Sequence, residues 1–181
     1  MQIADRLRRE NRAEYLLYLW QVEDLIRAYG GDFDRLRDTY LAAFGLTGEE
    51  RARTEQWYSD LCEMMHTEGV MEKGHLQICR NVLQELEELH RKLLASPNFP
   101  YYREMYYKVL PYIVELRQKG GGDGGTELQT CFEALYGVLM LRLQHKTVSE
   151  GTEHAVKDIS TLLGQLSDYY FKDKETPIDF G

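Results

Sequence analysis

The sequence predicts an all-α fold, a single-domain helical bundle of six to seven mainly antiparallel helices. Apolar residues recur at three- and four-residue spacing along most of the chain, the signature of amphipathic helices. Only 4 prolines interrupt 181 residues, so long elements are favoured over many turns. The length suits one core, since domains commonly run about 100–200 residues.

Residues 3–29 read as one long helix, because Ile3, Leu7, Tyr18, Val22, Leu25 and Tyr29 share a face and Gly30-Gly31 supplies a stop. Its middle, Tyr15-Leu16-Leu17-Tyr18-Leu19-Trp20, is apolar on every side, as expected of a central helix or one covered by a second subunit. Asp32 can cap a second helix to Phe44, and Thr47-x-x-Glu50 is a capping-box pattern opening a third over 48–68 that carries Trp57, Leu61 and Met64 inward. A fourth helix, 71–94, starting at Met71 or His75, repeats apolar residues at Leu76, Cys79, Leu83, Leu86 and Leu93, the seam spacing of antiparallel bundles.

The fifth helix, 99–118, contains Pro111, which removes one backbone donor, frees the Tyr107 carbonyl and predicts a kink. A glycine linker at 120–125 has no side chains able to pack and is expected to be flexible. Helices over 127–145 and 149–171 follow, the first apolar nearly all round at Val138-Leu139-Met140-Leu141, and residues 172–181 read as a loose tail. Two helices alone bury too little surface to stand by themselves, so the prediction is one domain spanning 1–181.

A net charge of −8 opposes nucleic acid as a partner, because that affinity comes mainly from clustered Lys and Arg. Arg6, Arg8, Arg9 and Arg12 form a local cluster, but they fall opposite Ile3 and Leu7 like an ordinary solvated face. The three cysteines, Cys62, Cys79 and Cys131, stand in helical, apolar surroundings and read as buried thiols of a reducing compartment. The first residues lack the apolar core of a signal peptide, and no run approaches the ~18 apolar residues of a membrane helix. A soluble, acidic, cytoplasmic protein with no membrane partner is the expectation.

The segments AEYLLYLWQVEDLIRAY (13–29), EGVMEKGHLQI (68–78), FPYYREMYYKVLPYIVEL (99–116) and CFEALYGVLMLRLQ (131–144) resemble an uncharacterised bacterial family of all-helical proteins known only as a domain of unknown function. The resemblance covers nearly the whole chain. It implies a soluble, all-helical bacterial protein, and it carries no activity, ligand or catalytic residue that could be transferred.

Among polar patterns, Glu-x-x-His occurs twice, at Glu63–His66 and Glu87–His90, and carboxylate-bridged metal sites in helical bundles use that (i, i+3) pair. Glu14, Glu23 and Glu115 could supply further carboxylates. Glu63 and His66 project away from the inward Trp57, Leu61 and Met64, so only Glu87 and His90 remain as metal candidates. The ordinary alternative is a surface Glu–His pair and a core histidine bonded to a neighbour.

His75 and Cys79 stand at (i, i+4), close enough for an imidazole to activate a thiolate, yet Cys79 occupies the apolar seam and no orienting third group is evident. The match of residues 120–125 to G-x-G-x-x-G follows a helix rather than a strand and is low-complexity coincidence.

Tyrosines concentrate on the fifth helix, where Tyr102, Met105, Tyr106, Val109 and Ile113 can face inward, leaving Tyr101 and Tyr112 nearer a rim. Asn11 and Glu14 lie on or beside the apolar face of the first helix, where a bundle-internal hydrogen bond to a tyrosine hydroxyl or an arginine would satisfy them; converging instead with Tyr18 on a cavity, they would recognise a small polar ligand. The ligand-binding candidates are therefore Asn11, Glu14, Tyr18, Tyr101, Tyr106 and Tyr112.

These readings favour a non-catalytic interaction or ligand-binding role over an enzyme, with a protein partner or a second copy of the chain ahead of a small molecule. No cofactor is called for. The apolar segments 15–20 and 138–143 support a homodimer. The alternative is a metal-dependent enzyme with a carboxylate/histidine site inside the bundle.

Overall fold

A computed structural model describes residues 2–119 and 125–181, and every regular element among them is helical. The expected glycine linker lies, except for Gly125, outside the described residues. The chain divides into two compact units, 1–82 and 83–181.

The first unit holds α1 (Gln2–Glu10), α2 (Arg12–Ala28), α3 (Phe33–Thr39), a 3₁₀ turn (Leu41–Phe44) and α4 (Gly48–Thr67). Helix α5 (Gln77–Ala95) contains the division between the units. The second unit continues with α6 (Pro100–Lys119), α7 (Glu127–Leu143) and α8 (Glu150–Glu175). Eight α-helices among the described residues exceed the expected six to seven, because the helix predicted over 3–29 is two.

Asn11 is the reason for that break. Its backbone turns extended, with φ −149° and ψ 100°, and its side-chain oxygen accepts the Glu14 N–H at 3.0 Å, the geometry of an N-cap. The apolar pattern runs through the cap, so periodicity alone does not reveal it.

Two further boundaries and one cap differ from the sequence reading. The 32–44 helix ends at Thr39 and tightens into the 3₁₀ turn, closed by Gly45 at φ +62°. Thr47 does occupy the cap position of α4, but its side chain makes no cap hydrogen bond, so the predicted capping box does not form. Helix α5 begins at Gln77, past both expected starts, Met71 and His75, because Val70–Leu76 is an irregular loop fastened from α2.

The 172–181 tail is not loose. Helix α8 runs to Glu175, the Asp173 carboxylate accepts the Ile178 N–H at 2.9 Å, and Phe180 packs against Phe99 with ring centroids 5.9 Å apart. Pro111 sits inside α6, which continues unbroken on both sides of it.

The first unit buries Leu16, Leu19, Trp20, Ile26, Leu36, Tyr58 and Met65; the second buries Leu86, Leu93, Tyr102, Phe132, Ile159 and Leu166. Cys62, Cys79 and Cys131 are all buried free thiols, as their apolar settings predict. No helix among the described residues is long and apolar enough to cross a membrane.

Candidate functional site

Three polar or aromatic assemblies emerge, two in the first unit and one in the second. The first is built on Glu23, which α2 turns into the core at 1 % exposure. One carboxylate oxygen accepts the Leu76 backbone N–H at 2.8 Å and lies 3.2 Å from the Cys79 thiol, while the other accepts from His75 Nδ1 at 2.6 Å. Trp20, one helical turn before Glu23, stacks on the His75 ring at 4.4 Å and 16°. Arg27, one turn after it, donates to the carbonyls of Val70 at 3.0 Å and Gly74 at 2.5 Å.

One stripe of α2 thus fastens the loop that precedes α5. Glu23 is the orienting group that spacing alone did not supply for His75 and Cys79. It does not create a nucleophile: burial first, then the Glu23 charge, push the Cys79 thiol well above its ordinary value, which keeps it protonated.

The second assembly is an open groove of about 620 Å³ lined from α1, α2, the 3₁₀ turn and α4. Its walls are aromatic and apolar: Tyr18, Tyr40, Phe44, Tyr58, Ile3 and Leu46. Tyr40 meets Phe44 edge-on at 5.0 Å and Tyr58 at 6.4 Å, and Tyr18 stacks on Trp57 at 6.3 Å. Ile3 and Phe44 stay 45 % and 50 % exposed, more than their burial in a completed core would leave. Asp5, Glu49, Glu50 and Arg53 supply the charges, three carboxylates against one guanidinium, and Arg53 is paired to Glu49. Burial raises the Tyr18 hydroxyl and raises Tyr58 further, so both are neutral donors or acceptors.

The third assembly lies in the second unit. His90 is 7 % exposed, its Nδ1 is 2.6 Å from the Tyr102 hydroxyl, and its ring meets Tyr106 edge-on at 5.3 Å. Tyr106 donates to Glu127 at 2.7 Å, and the Thr126 hydroxyl donates to Glu87. Of these, Glu87, His90, Thr126 and Glu127 border a cleft of about 250 Å³. Burial depresses His90 to about 4, leaving the imidazole neutral.

The predicted site residues do not converge. Asn11 spends its side-chain oxygen on the α2 cap and Glu14 is exposed, so of that trio only Tyr18 lines a cavity. On α6, Tyr101 is 80 % exposed, Tyr112 is half-buried, and Tyr106 is bonded to Glu127. Glu87 and His90 do border one cleft, but no three His, Cys, Asp or Glu among the described residues are grouped to hold a metal ion.

Glu63 and His66 are exposed, as predicted. Sequence reasoning missed Tyr40, Phe44 and Tyr58 as neighbours of Tyr18; the only signal was their aromatic character. It missed Glu127 as well. The apolar segment 15–20 is largely absorbed by the core, with Leu16, Leu19 and Trp20 buried; in 138–143 only Val138 is, and Leu143 is 62 % exposed.

Comparison with known families gives one match: the sequence model described as Domain of unknown function (DUF4924) matches residues 1–177. No curated protein and no solved structure matches the chain.

Proposed function

We propose that this chain, which belongs to the DUF4924 family, is a binding protein rather than a catalyst, and that its aromatic groove takes a ligand with a flat apolar body and a cationic end. The observation that carries this reading is the groove itself. Its volume of about 620 Å³ falls within the range of small-molecule sites, roughly 300–1,000 Å³. Aromatic faces attract cations as well as flat apolar surface, and the excess of carboxylates at the groove favours positive charge.

Two probes sharing one ring system separate these contributions: 1-naphthylmethylamine and 1-naphthoate, titrated calorimetrically. The amine is expected to bind more tightly, and Phe44→Ala to weaken it about tenfold, equivalent to roughly 1.4 kcal/mol. Phe44 is half exposed, so its truncation leaves the fold standing. Absence of binding by the amine, or equal affinity for both probes with no effect of Phe44→Ala, rules the reading out.

Self-association is a second reading, favoured by the end of α7, where Leu139, Met140 and Leu141 are half-buried and Leu143 is 62 % exposed. Light scattering at micromolar concentration is expected to show a dimer that Leu143→Glu converts to monomer. A parent protein that is already monomeric removes this reading.

A further inference from the structure

The cleft of the second unit is lined by Glu87, His90 and Arg91 from α5 and by Thr126, Glu127 and Leu128 at the start of α7. Its acidic groups are each half occupied. Glu127 uses one carboxylate oxygen for the Tyr106 hydroxyl, and Glu87 uses one for the Thr126 hydroxyl; among the described residues each has its other oxygen unpaired.

His90 adds a different kind of observation. It is 7 % exposed, yet it borders the cleft, and its one hydrogen bond among the described residues engages Nδ1. Among the described residues the second ring nitrogen has no hydrogen-bond partner, so it remains open to one from the cleft that His90 lines. Arg91 carries the opposite charge. Its Nε makes a long contact of 3.4 Å with the Glu87 carbonyl, and its terminal nitrogens have no hydrogen bond among the described residues.

We propose that this cleft binds a small zwitterion of free-amino-acid size, its ammonium held by Glu87, Glu127 and the open His90 nitrogen and its carboxylate by Arg91. An ammonium offers three N–H donors, matching two free carboxylate oxygens and one imidazole acceptor. Binding selects the tautomer protonated on Nδ1, which then donates to the Tyr102 hydroxyl. A guanidinium presents paired donors that match a carboxylate. The cleft volume of about 250 Å³ corresponds to roughly eight waters at ~30 Å³ each, ample room for a small amino acid. The proposal concerns the second unit alone and is independent of the groove.

The test is a nitrogen-15 NMR titration of the full chain with three probes: L-alanine, ethylamine and propionate. L-alanine is expected to shift the His90 ring nitrogens and the Thr126 and Leu128 amides, with weaker binding by ethylamine and none by propionate. Arg91→Met and Glu127→Gln should each weaken L-alanine about tenfold; Arg91 is exposed, and glutamine keeps an acceptor for Tyr106.

Three results overturn the proposal. L-alanine leaves the His90 ring nitrogens unmoved at millimolar concentration; ethylamine binds as tightly as L-alanine and Arg91→Met is indifferent; or propionate binds as tightly as L-alanine. The His90 ring signal separates ligand contact from a purely structural effect of either substitution.

Discussion

Replacing Glu23 by alanine is expected to cost about 3 kcal/mol of stability and to free the loop that precedes α5. Removing one member of a buried, hydrogen-bonded charge cluster costs this much because the partners are left in the core without replacement. Here the Leu76 N–H, the His75 ring and the Cys79 thiol all lose their acceptor together. Glu23 is 1 % exposed, so water cannot take over its role without opening the core.

Arg27 still holds the Val70 and Gly74 carbonyls, so the loop should loosen first at His75 and Leu76 rather than detach at once. Glu23→Gln keeps an acceptor for Leu76 and is expected to cost less, about 1–2 kcal/mol, since a neutral amide replaces a charge-assisted bond. Urea denaturation followed by tryptophan fluorescence measures both costs, and hydrogen exchange at residues 75–79 reads the local effect. A Glu23→Ala protein within about 0.5 kcal/mol of the parent, with exchange at Leu76 unchanged, would show that the cluster holds nothing.

This cluster also marks the limit of what sequence carries. Helices were legible because apolar spacing, the Gly30-Gly31 stop and the Asp32 cap are local signals, each contained in one or two turns. The start of α5 was not. Periodicity beginning at Met71 is compatible with helix, but the loop is set by a carboxylate 53 positions away from the amide it accepts. The same holds at Asn11, where a polar residue beside an apolar face suits a ligand contact and a cap equally until backbone dihedrals decide.

For the groove, Tyr18 was identifiable as a polar-tipped aromatic in an apolar segment, but its neighbours Tyr40, Phe44 and Tyr58 come from elements whose mutual packing no pattern encodes. Tyrosine density pointed instead to α6, where Tyr102 is core and Tyr101 is solvent-facing. His90 was readable as an inward histidine on an apolar face. Its bond to Tyr102 joins α5 to α6 and depends on tertiary structure alone.

His90 yields the second large effect: the protein should lose about 2 kcal/mol of stability between pH 7 and pH 5 through this one residue. Burial is the leading cause that lowers it from an ordinary 6.5 to about 4; Arg91 adds to the depression, and Glu127 opposes both. The folded chain therefore takes up a proton less readily than the unfolded chain. Well above pH 6.5 neither state is protonated at His90, and its contribution is complete.

As the pH falls from 6.5 towards 4, the unfolded state gains protons first and becomes favoured by an amount that approaches about 3 kcal/mol, since each pKa unit is worth about 1.4 kcal/mol. The carboxylates at the cleft do not reverse this sign, because the attraction of Glu127 is already included in the depressed value. His90→Asn isolates the effect: asparagine can place a polar atom near the position of Nδ1 to meet the Tyr102 hydroxyl, and it does not titrate. The variant is expected to be less stable than the parent at pH 7 but flatter in its response to acid, so the two stabilities converge by about 2 kcal/mol on going to pH 5. Parallel stability–pH curves for parent and variant, or an NMR titration of the His90 ring with a midpoint near 6.5, would mean that the imidazole is solvated and that its burial does not govern acid sensitivity.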